Sequence, residues 1–293
     1  MIYDIRHVTT YRYDAAVAAA ACVMRLLPRA EAGQKVIDSG LDIAPAPAET
    51  RERADAFGNR VTSVRIDAPH RELRVSALSR VAVERPAPPA AALTPAWEII
   101  RAAARSLRAL QAESPAHFLF PSRQVALDAA TTLWCAQSFP ANRPMLEGCA
   151  DLMGRIRRAF EYKADATAVN TTVAEAFAAR KGVCQDFAHV MIAGLRGLGL
   201  PAAYVSGYIR TIPPPGKPRL EGADASHAWV SVWCGPEFGW LDLDPTNDLM
   251  AGDDHVVVAR GRDYADVSPI DGVFVGSGDH QLSVSVDVRP EGE

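Results

Sequence analysis

The sequence predicts an α+β protein: a small β-sandwich-like unit over residues 1–85, then a helical segment and a mixed core over residues 86–293. Three observations carry that reading. Short β-branched runs with turn punctuation fill the first 85 residues, apolar stripes at helical spacing follow, and residues 182–247 supply a thiol, an imidazole and carboxylates in a usable order.

In the β-rich part, Ile5, His7, Thr9 and Tyr11 alternate with Arg6, Val8, Thr10 and Arg12, although the two sets differ little in polarity. Val61-Thr62-Ser63-Val64-Arg65-Ile66 and Leu73-Arg74-Val75-Ser76-Ala77-Leu78 are clearer strands, and Phe57-Gly58-Asn59-Arg60 reads as a hairpin turn. Pro86-Ala87-Pro88-Pro89 is a stiff linker. Beyond it, Thr94 and Pro95 read as an N-cap and first helical residue, with Trp97, Ile100, Leu107 and Leu110 as the apolar stripe. Met145, Cys149, Leu152, Met153, Ile156 and Phe160 mark a second helix, which puts Cys149, and with it Cys135, in the core. Thr172-Val173-Ala174-Glu175 is a capping-box pattern for a short helix ending near Gly182. The next helix starts at Val183 or Cys184, buries Phe187, Val190, Met191 and Leu195, and stops at Gly199 and Pro201. A strand over 204–209, a polar proline-rich loop over 211–225 and a hairpin bearing His227 and Asp244 complete the pattern.

Bulk properties exclude several classes. The chain is 48% hydrophobic and 23% charged with net charge -4. Residues 1–85 hold 13 Lys+Arg against 11 Asp+Glu, hence +2, and the remainder 18 against 24, hence -6. Without a basic stripe, nucleic acid is not an expected partner. Five scattered cysteines with no CxxC pair favour neither a disulfide framework nor a zinc knuckle. Met1-Ile2-Tyr3-Asp4 opens no signal pattern, and the apolar run over 15–24 is too short to span a bilayer. The expectation is a reduced, cytoplasmic protein with no cofactor, no bound metal and no membrane partner.

Cys184 falls at a helix N-terminus, where unpaired N–H groups and the helix dipole favour a thiolate. On the hairpin, His227, Trp229, Ser231 and Trp233 share a face with Phe238, Trp240, Asp242 and Asp244. A four-residue turn over 234–237 would set Trp229 opposite Asp242 and His227 opposite Asp244, at about 4.5–5.5 Å between Cβ atoms. Cys234 is then a turn residue, remote from His227. Asp242 and Asp244 share the face, so geometry alone does not choose the acid; Pro245 puts Asp244 at the strand end, as His227 is at the strand start. Asp242 is left as a secondary acceptor or a solvated group. His189 points away from Cys184, and Asp186 suits the first helical turn whatever the function. Cys184, His227 and Asp244 could ligate zinc by type, though no spacing demands it.

These residues resemble the bacterial transglutaminase-like family, cysteine-peptidase relatives of the transglutaminase core. Gly182-Val183-Cys184-Gln185-Asp186-Phe187-Ala188-His189 is similar to its nucleophile segment. Tyr204-Val205-Ser206-Gly207-Tyr208, Ser226-His227-Ala228-Trp229, Asp244-Pro245-Thr246-Asn247 and the run from Gly261 to Pro269 resemble its other core blocks. Tyr11-Arg12-Tyr13, Arg25-Leu26-Leu27-Pro28-Arg29 and Asp55-Ala56-Phe57-Gly58-Asn59 resemble its N-terminal β domain. The resemblance implies a papain-like core with a Cys184-His227-Asp244 triad and supports Asp244 over Asp242. It implies a thioacyl intermediate formed on a peptide or protein substrate and resolved by water (peptidase or amidase) or by an amine (transglutaminase). A peptide-binding module on a retired enzyme fold is the rival reading.

Overall fold

The computed structural model describes residues 1–211 and 225–292, so residues 212–224 of the proline-rich loop lie outside the described residues. The elements run β1 (Ile2–Val17), β2 (Ala19–Met24), β3 (Gln34–Ala44), β4 (Glu49–Ala54), β5 (Arg60–Ile66) and β6 (His70–Val83) in the β unit. Then follow α1 (Trp97–Ser106), α2 (Ala129–Ala136), α3 (Met145–Ala159), β7 (Glu161–Tyr162), α4 (Val173–Ala179), β8 (Lys181–Gly182) and α5 (Cys184–Gly197). The chain closes with β9 (Ala202–Ile209), β10 (Ala225–Trp233), β11 (Trp240–Asp244), β12 (Leu249–Met250), β13 (His255–Gly261), α6 (Tyr264–Val267), β14 (Ile270–Val275) and β15 (His280–Pro290).

Alternation decides how β1 is used. Tyr3, Ile5, His7 and Thr9 are buried while Asp4 and Arg6 are exposed. The polarity contrast is weak in sequence because two of the buried residues are polar. They satisfy each other: His7 Nε2 lies 3.0 Å from Thr9 Oγ1, and His7 Nδ1 lies 3.0 Å from the Tyr208 hydroxyl of β9. Two four-stranded sheets, β15-β1-β6-β3 and β14-β2-β5-β4, form the β unit. Tyr13, Val17, Met24, Ile66, Leu73 and Val75 fill its interior.

The division at residue 85 assigned the last strands to the core, and the structure corrects it. β14 pairs antiparallel with β2, and β15 pairs with β1 from Tyr3↔Pro290 to Tyr13↔His280. The return of β15 covers the edge of β1 that would otherwise stand open.

The core is a five-stranded sheet, β12-β11-β10-β9-β13, with α5 against one face. Phe187, Val190, Met191 and Leu195 of α5 join Val230, Val232 and Leu243 in one buried cluster that also takes in Cys135 and Cys149. Trp229, Val205 and Val257 form a small cluster apart from it. The Thr172 capping box forms as expected: Glu175 N–H donates to Thr172 Oγ1 at 3.3 Å, and Thr172 N–H to Glu175 Oε2 at 2.9 Å. Thr94 does not cap α1, which begins three residues later at Trp97. Its hydroxyl accepts instead from Leu146 N–H at 3.0 Å, supplying an acceptor for the first turn of α3. Among the described residues, no helix is long and apolar enough to cross a membrane.

Edge strand β13 is fastened to the β unit by two side-chain amides. Gln34 Nε2 donates to Val257 O at 2.7 Å while its Oε1 accepts from Val257 N–H at 2.7 Å. Asn59 does the same for Arg260, donating at 2.7 Å and accepting at 2.8 Å. Each amide stands in for one residue of a neighbouring strand. Replacing Gln34 by Leu keeps the volume but takes a partner from three backbone groups, Val257 N–H, Val257 O and the Arg29 O to which Nε2 also donates at 2.8 Å, each costly to leave unpaired. We expect Gln34→Leu to lower stability by about 2–4 kcal/mol, read from the urea midpoint; a change below about 0.5 kcal/mol, the range of ordinary surface substitutions, would contradict the strand-mimic role.

Candidate active site

Local sequence fixes the setting of the thiol. Asp186, buried in the first turn of α5, accepts from Val183 N–H at 2.8 Å and from Thr167 Oγ1–H at 2.7 Å. A Cβ on residue 182 would collide with that carboxylate, so glycine is needed there. Gly182 and Asp186 therefore set the entry into the helix, and Cys184 is its half-buried first residue. His189, in the same helix, is buried against Tyr204, accepts from Tyr264 N–H at 3.2 Å, and is pushed by burial down to about 4. Cys135 and Cys149 are buried, and burial raises both thiols.

β10 and β11 carry the other two groups, in a register that differs from the expected one. Trp233 pairs with Trp240, Ser231 with Asp242 and Val230 with Leu243, a shift of two residues. The turn is longer because Gly235 (φ 101) and Gly239 (φ 63) both take left-handed backbone, and Cys234 N–H donates to Gly239 O at 2.8 Å. Cys234 is wholly buried at its start. An even shift leaves each side chain on its expected face, so His227 and Asp244 meet along a diagonal instead of head-on. His227 Nε2–H donates to Asp244 Oδ2 at 2.7 Å. Opposite His227 on β9 stands Gly207, whose missing side chain makes room for the Trp229 ring. That ring stacks on the imidazole at 6.0 Å and 30°.

Asp244 is fully buried and turned into its own loop. Its Oδ1 accepts from Thr246 N–H at 2.9 Å and Asn247 N–H at 3.2 Å, an Asx-type turn that Pro245 suits. Its Oδ2 accepts from Asn247 Nδ2 at 2.7 Å and, besides His227, from His255 Nε2 at 3.2 Å. Gly252 N–H points at His255 Nδ1 at 3.4 Å, which leaves the hydrogen on Nε2. His255 was not foreseen; a histidine opening the apolar run Val256-Val257-Val258 is its one trace in the sequence.

Electrostatics follow from these contacts. Burial is the largest effect on Asp244 and raises its pKa, but the bonds from His227, His255 and Asn247 together hold it well below the usual carboxylate range. For His227, burial again is largest and lowers the value; hydrogen bonds and charge from Asp244 and Cys184 outweigh it, so the imidazolium is favoured. With Nε2 on Asp244, Nδ1 is the nitrogen left for the Cys184 thiol. The ligand atoms of His227, Asp244 and His255 all lie within 4.8 Å of one another, close enough to hold a metal ion. Yet Asn247 aims an N–H at the same carboxylate oxygen, a geometry that suits shared protons better than a cation.

Asp242 is neither solvated nor part of this cluster. Arg260 Nη1 and Nη2 donate to its two oxygens at 2.9 Å each, and Trp229 Nε1–H donates at 3.1 Å. Arg260 also donates to Glu31 at 2.8 and 2.9 Å. Burial raises the Asp242 pKa, but Arg260 prevails and holds it well below the ordinary value. A carboxyl that titrates lower when folded contributes its full stabilisation above about pH 4 and loses it as pH falls. Asp242→Asn is thus expected to cost about 3 kcal/mol at pH 7 and to flatten the acid limb of a stability–pH curve; an unchanged limb would show that the pair is not what titrates.

Residues 3–82 match the model of the bacterial transglutaminase-like N-terminal region, and residues 135–245 that of the transglutaminase-like superfamily. Across 98% of its length the chain is 40% identical to an uncharacterized protein of Mycobacterium tuberculosis, covering 92% of that protein. A stretch of 89 residues, 30% of this chain and 13% of the other, is 38% identical to the protein-glutamine gamma-glutamyltransferase of Pseudomonas aeruginosa. The crystal structure of a candidate cysteine protease from Cytophaga hutchinsonii superposes with a TM-score of 0.75 at 21% identity, over 98% of this chain and 90% of that one, and so shows a shared fold. With a β region and an α+β, papain-like core in that order, the chain belongs to the bacterial transglutaminase-like family.

Proposed function

We propose that the protein is a thiol acyl-transfer enzyme that hydrolyses peptide or glutamine-type amide bonds, a cysteine peptidase or amidase. Cys184 is the nucleophile, His227 the acid–base group and Asp244 its orienting carboxylate. The observation that carries the reading is the 2.7 Å bond from His227 to a buried carboxylate, on a ring whose basicity the Cys184 thiol also raises.

In the scheme, His227 takes the thiol proton and the sulfur attacks the carbonyl carbon. Charge on the carbonyl oxygen is met by the Cys184 backbone N–H at the helix start. His227 Nδ1–H then protonates the departing amine, and the thioester remains. Water, deprotonated by His227, attacks that thioester and releases the acid. Asp244 stays ionised throughout because its donors stabilise the charge. An amine in place of water would make the protein a transglutaminase, a second reading favoured by the local similarity to the Pseudomonas aeruginosa enzyme. The expected substrate is a peptide or protein segment. Five free cysteines suit a reducing compartment, and the cytoplasm is the proposed location.

Incubation with a peptide library read by mass spectrometry separates the outcomes, since cleavage, deamidation and amine incorporation change mass differently. Hydrolysis is expected, falling about 10³-fold or more in Cys184→Ala and in His227→Ala; turnover that survives Cys184→Ala sinks the proposal. A second expectation concerns reactivity. With the His227 imidazolium favoured beside it, Cys184 should be alkylated by iodoacetamide faster than an ordinary thiol at the same pH. Asp244→Asn should bring the rate back toward the ordinary one. A wild-type rate no faster than that of a free thiol would favour a peptide-binding module.

A further inference from the structure

A cavity of about 400 Å³ lies between the β unit and the central sheet, and none of Cys184, His227 and Asp244 lines it. Part of its wall is apolar. Phe57 and Phe118 meet at 5.6 Å, Phe118 stands edge-on to Trp240 at 5.2 Å, and Met250 adds a flexible face.

The remaining lining is charged and, among the described residues, out of balance. Arg260 is forked onto Asp242 and Glu31, Arg29 Nε lies 3.3 Å from Glu31 and Arg85 Nη1 3.6 Å from it. Three guanidiniums therefore share two carboxylates. Of the other acids near Arg29, Asp55 is held by Arg25 at 3.3 Å, and Glu113, which also lines the cavity, is exposed to water that screens its charge. The Nε–H of Arg85 is buried without a hydrogen bond, that of Arg29 is buried with only its ion-pair contact to Glu31, and Arg29 is only 7% exposed. An excess of buried cation with incompletely bonded donors is an unfavourable arrangement unless an anion completes it.

We infer that this cavity binds a small monocarboxylate with an apolar body about the size of one ring. Its carboxylate accepts from Arg29 and Arg85 and cancels the excess charge, through charge-assisted bonds that guanidinium geometry favours. Its body lies among Phe57, Phe118 and Trp240. The volume is at the lower end of ligand pockets, which run from about 300 to 1,000 Å³. A neutral ligand leaves the excess charge in place, and a dianion reverses it. The site is independent of the thiol chemistry.

Calorimetric titration of the full chain with 3-phenylpropanoate, and with 3-phenylpropanamide as the neutral isostere, tests the assignment. One saturable site is expected for the acid, with the amide weaker by about tenfold or more, the scale of one lost charged hydrogen bond. Arg85→Gln should weaken the acid by a similar factor. Ala112→Trp, which fills the cavity without altering its charges, should abolish binding, and Cys184→Ala should leave it unchanged. Absence of saturable binding, equal binding of acid and amide, or indifference to Ala112→Trp overturns the inference. So does loss of binding in Cys184→Ala, which would move the ligand to the thiol. If Arg85→Gln does not fold, the acid–amide ratio and Ala112→Trp still decide.

Discussion

One buried carboxylate constrains much of this structure. Asp244 has no solvent exposure, yet the described residues direct five N–H donors at it. A carboxylate taken out of water without partners would protonate instead. The donors come from three places: the loop after β11, the start of β10 and the start of β13. Each must arrive for the charge to persist. β13 is an edge strand, and the side chains that pair its backbone, Gln34 and Asn59, belong to the β unit. The ionisation of Asp244 is thereby tied to the docking of the N-terminal sheets, far from it in sequence.

Asp242 and Asp244 stand two residues apart on one face of β11, and their surroundings give them different work. Asp242 meets a permanent cation, Arg260, in a two-pronged pair, so its charge is spent on fixing the guanidinium that also bonds Glu31 of the β unit. Asp244 meets neutral amides and two imidazoles. Its charge stays available to whatever proton His227 carries. Which of two identical side chains orients a histidine is decided here by the absence of an arginine.

What the sequence disclosed was local. The Thr172 box, the start of α5 at Cys184 and its stop at Gly199 all depend on residues within one or two turns. Face assignment on the hairpin also survived, because parity depends only on alternation. Register did not survive, since two left-handed glycines lengthen the turn and turn length is not set by hydrophobic pattern. Thr94 looked like a cap for the helix beside it and serves another one, past an intervening helix. Val284, Val286 and Val288 alternate as a strand should, but nothing local states that they complete the sheet begun by β1. Gln34, Asn59 and His255 were opaque for the same reason: their partners lie far along the chain, and a polar residue does not advertise a distant partner.

The boundary at Pro86 marks a change in composition, and the physics does not make it a seam. Tyr3, Ile5, Val81 and Val83 lie in the same buried cluster as the α5 side chains, together with Val286 and Val288 of β15. Glu31 of the β unit bonds Arg260, Arg260 bonds Asp242, Asp242 accepts from Trp229, and Trp229 stacks on His227. That chain of contacts is mechanical support. Removing residues 1–85 would uncover the apolar side of the core, free the edge of β13 and leave Arg260 with one carboxylate instead of two. The β region is then best understood as the wall against which the ring of His227 is braced, which gives a physical reason for the two sequence regions to occur in one chain.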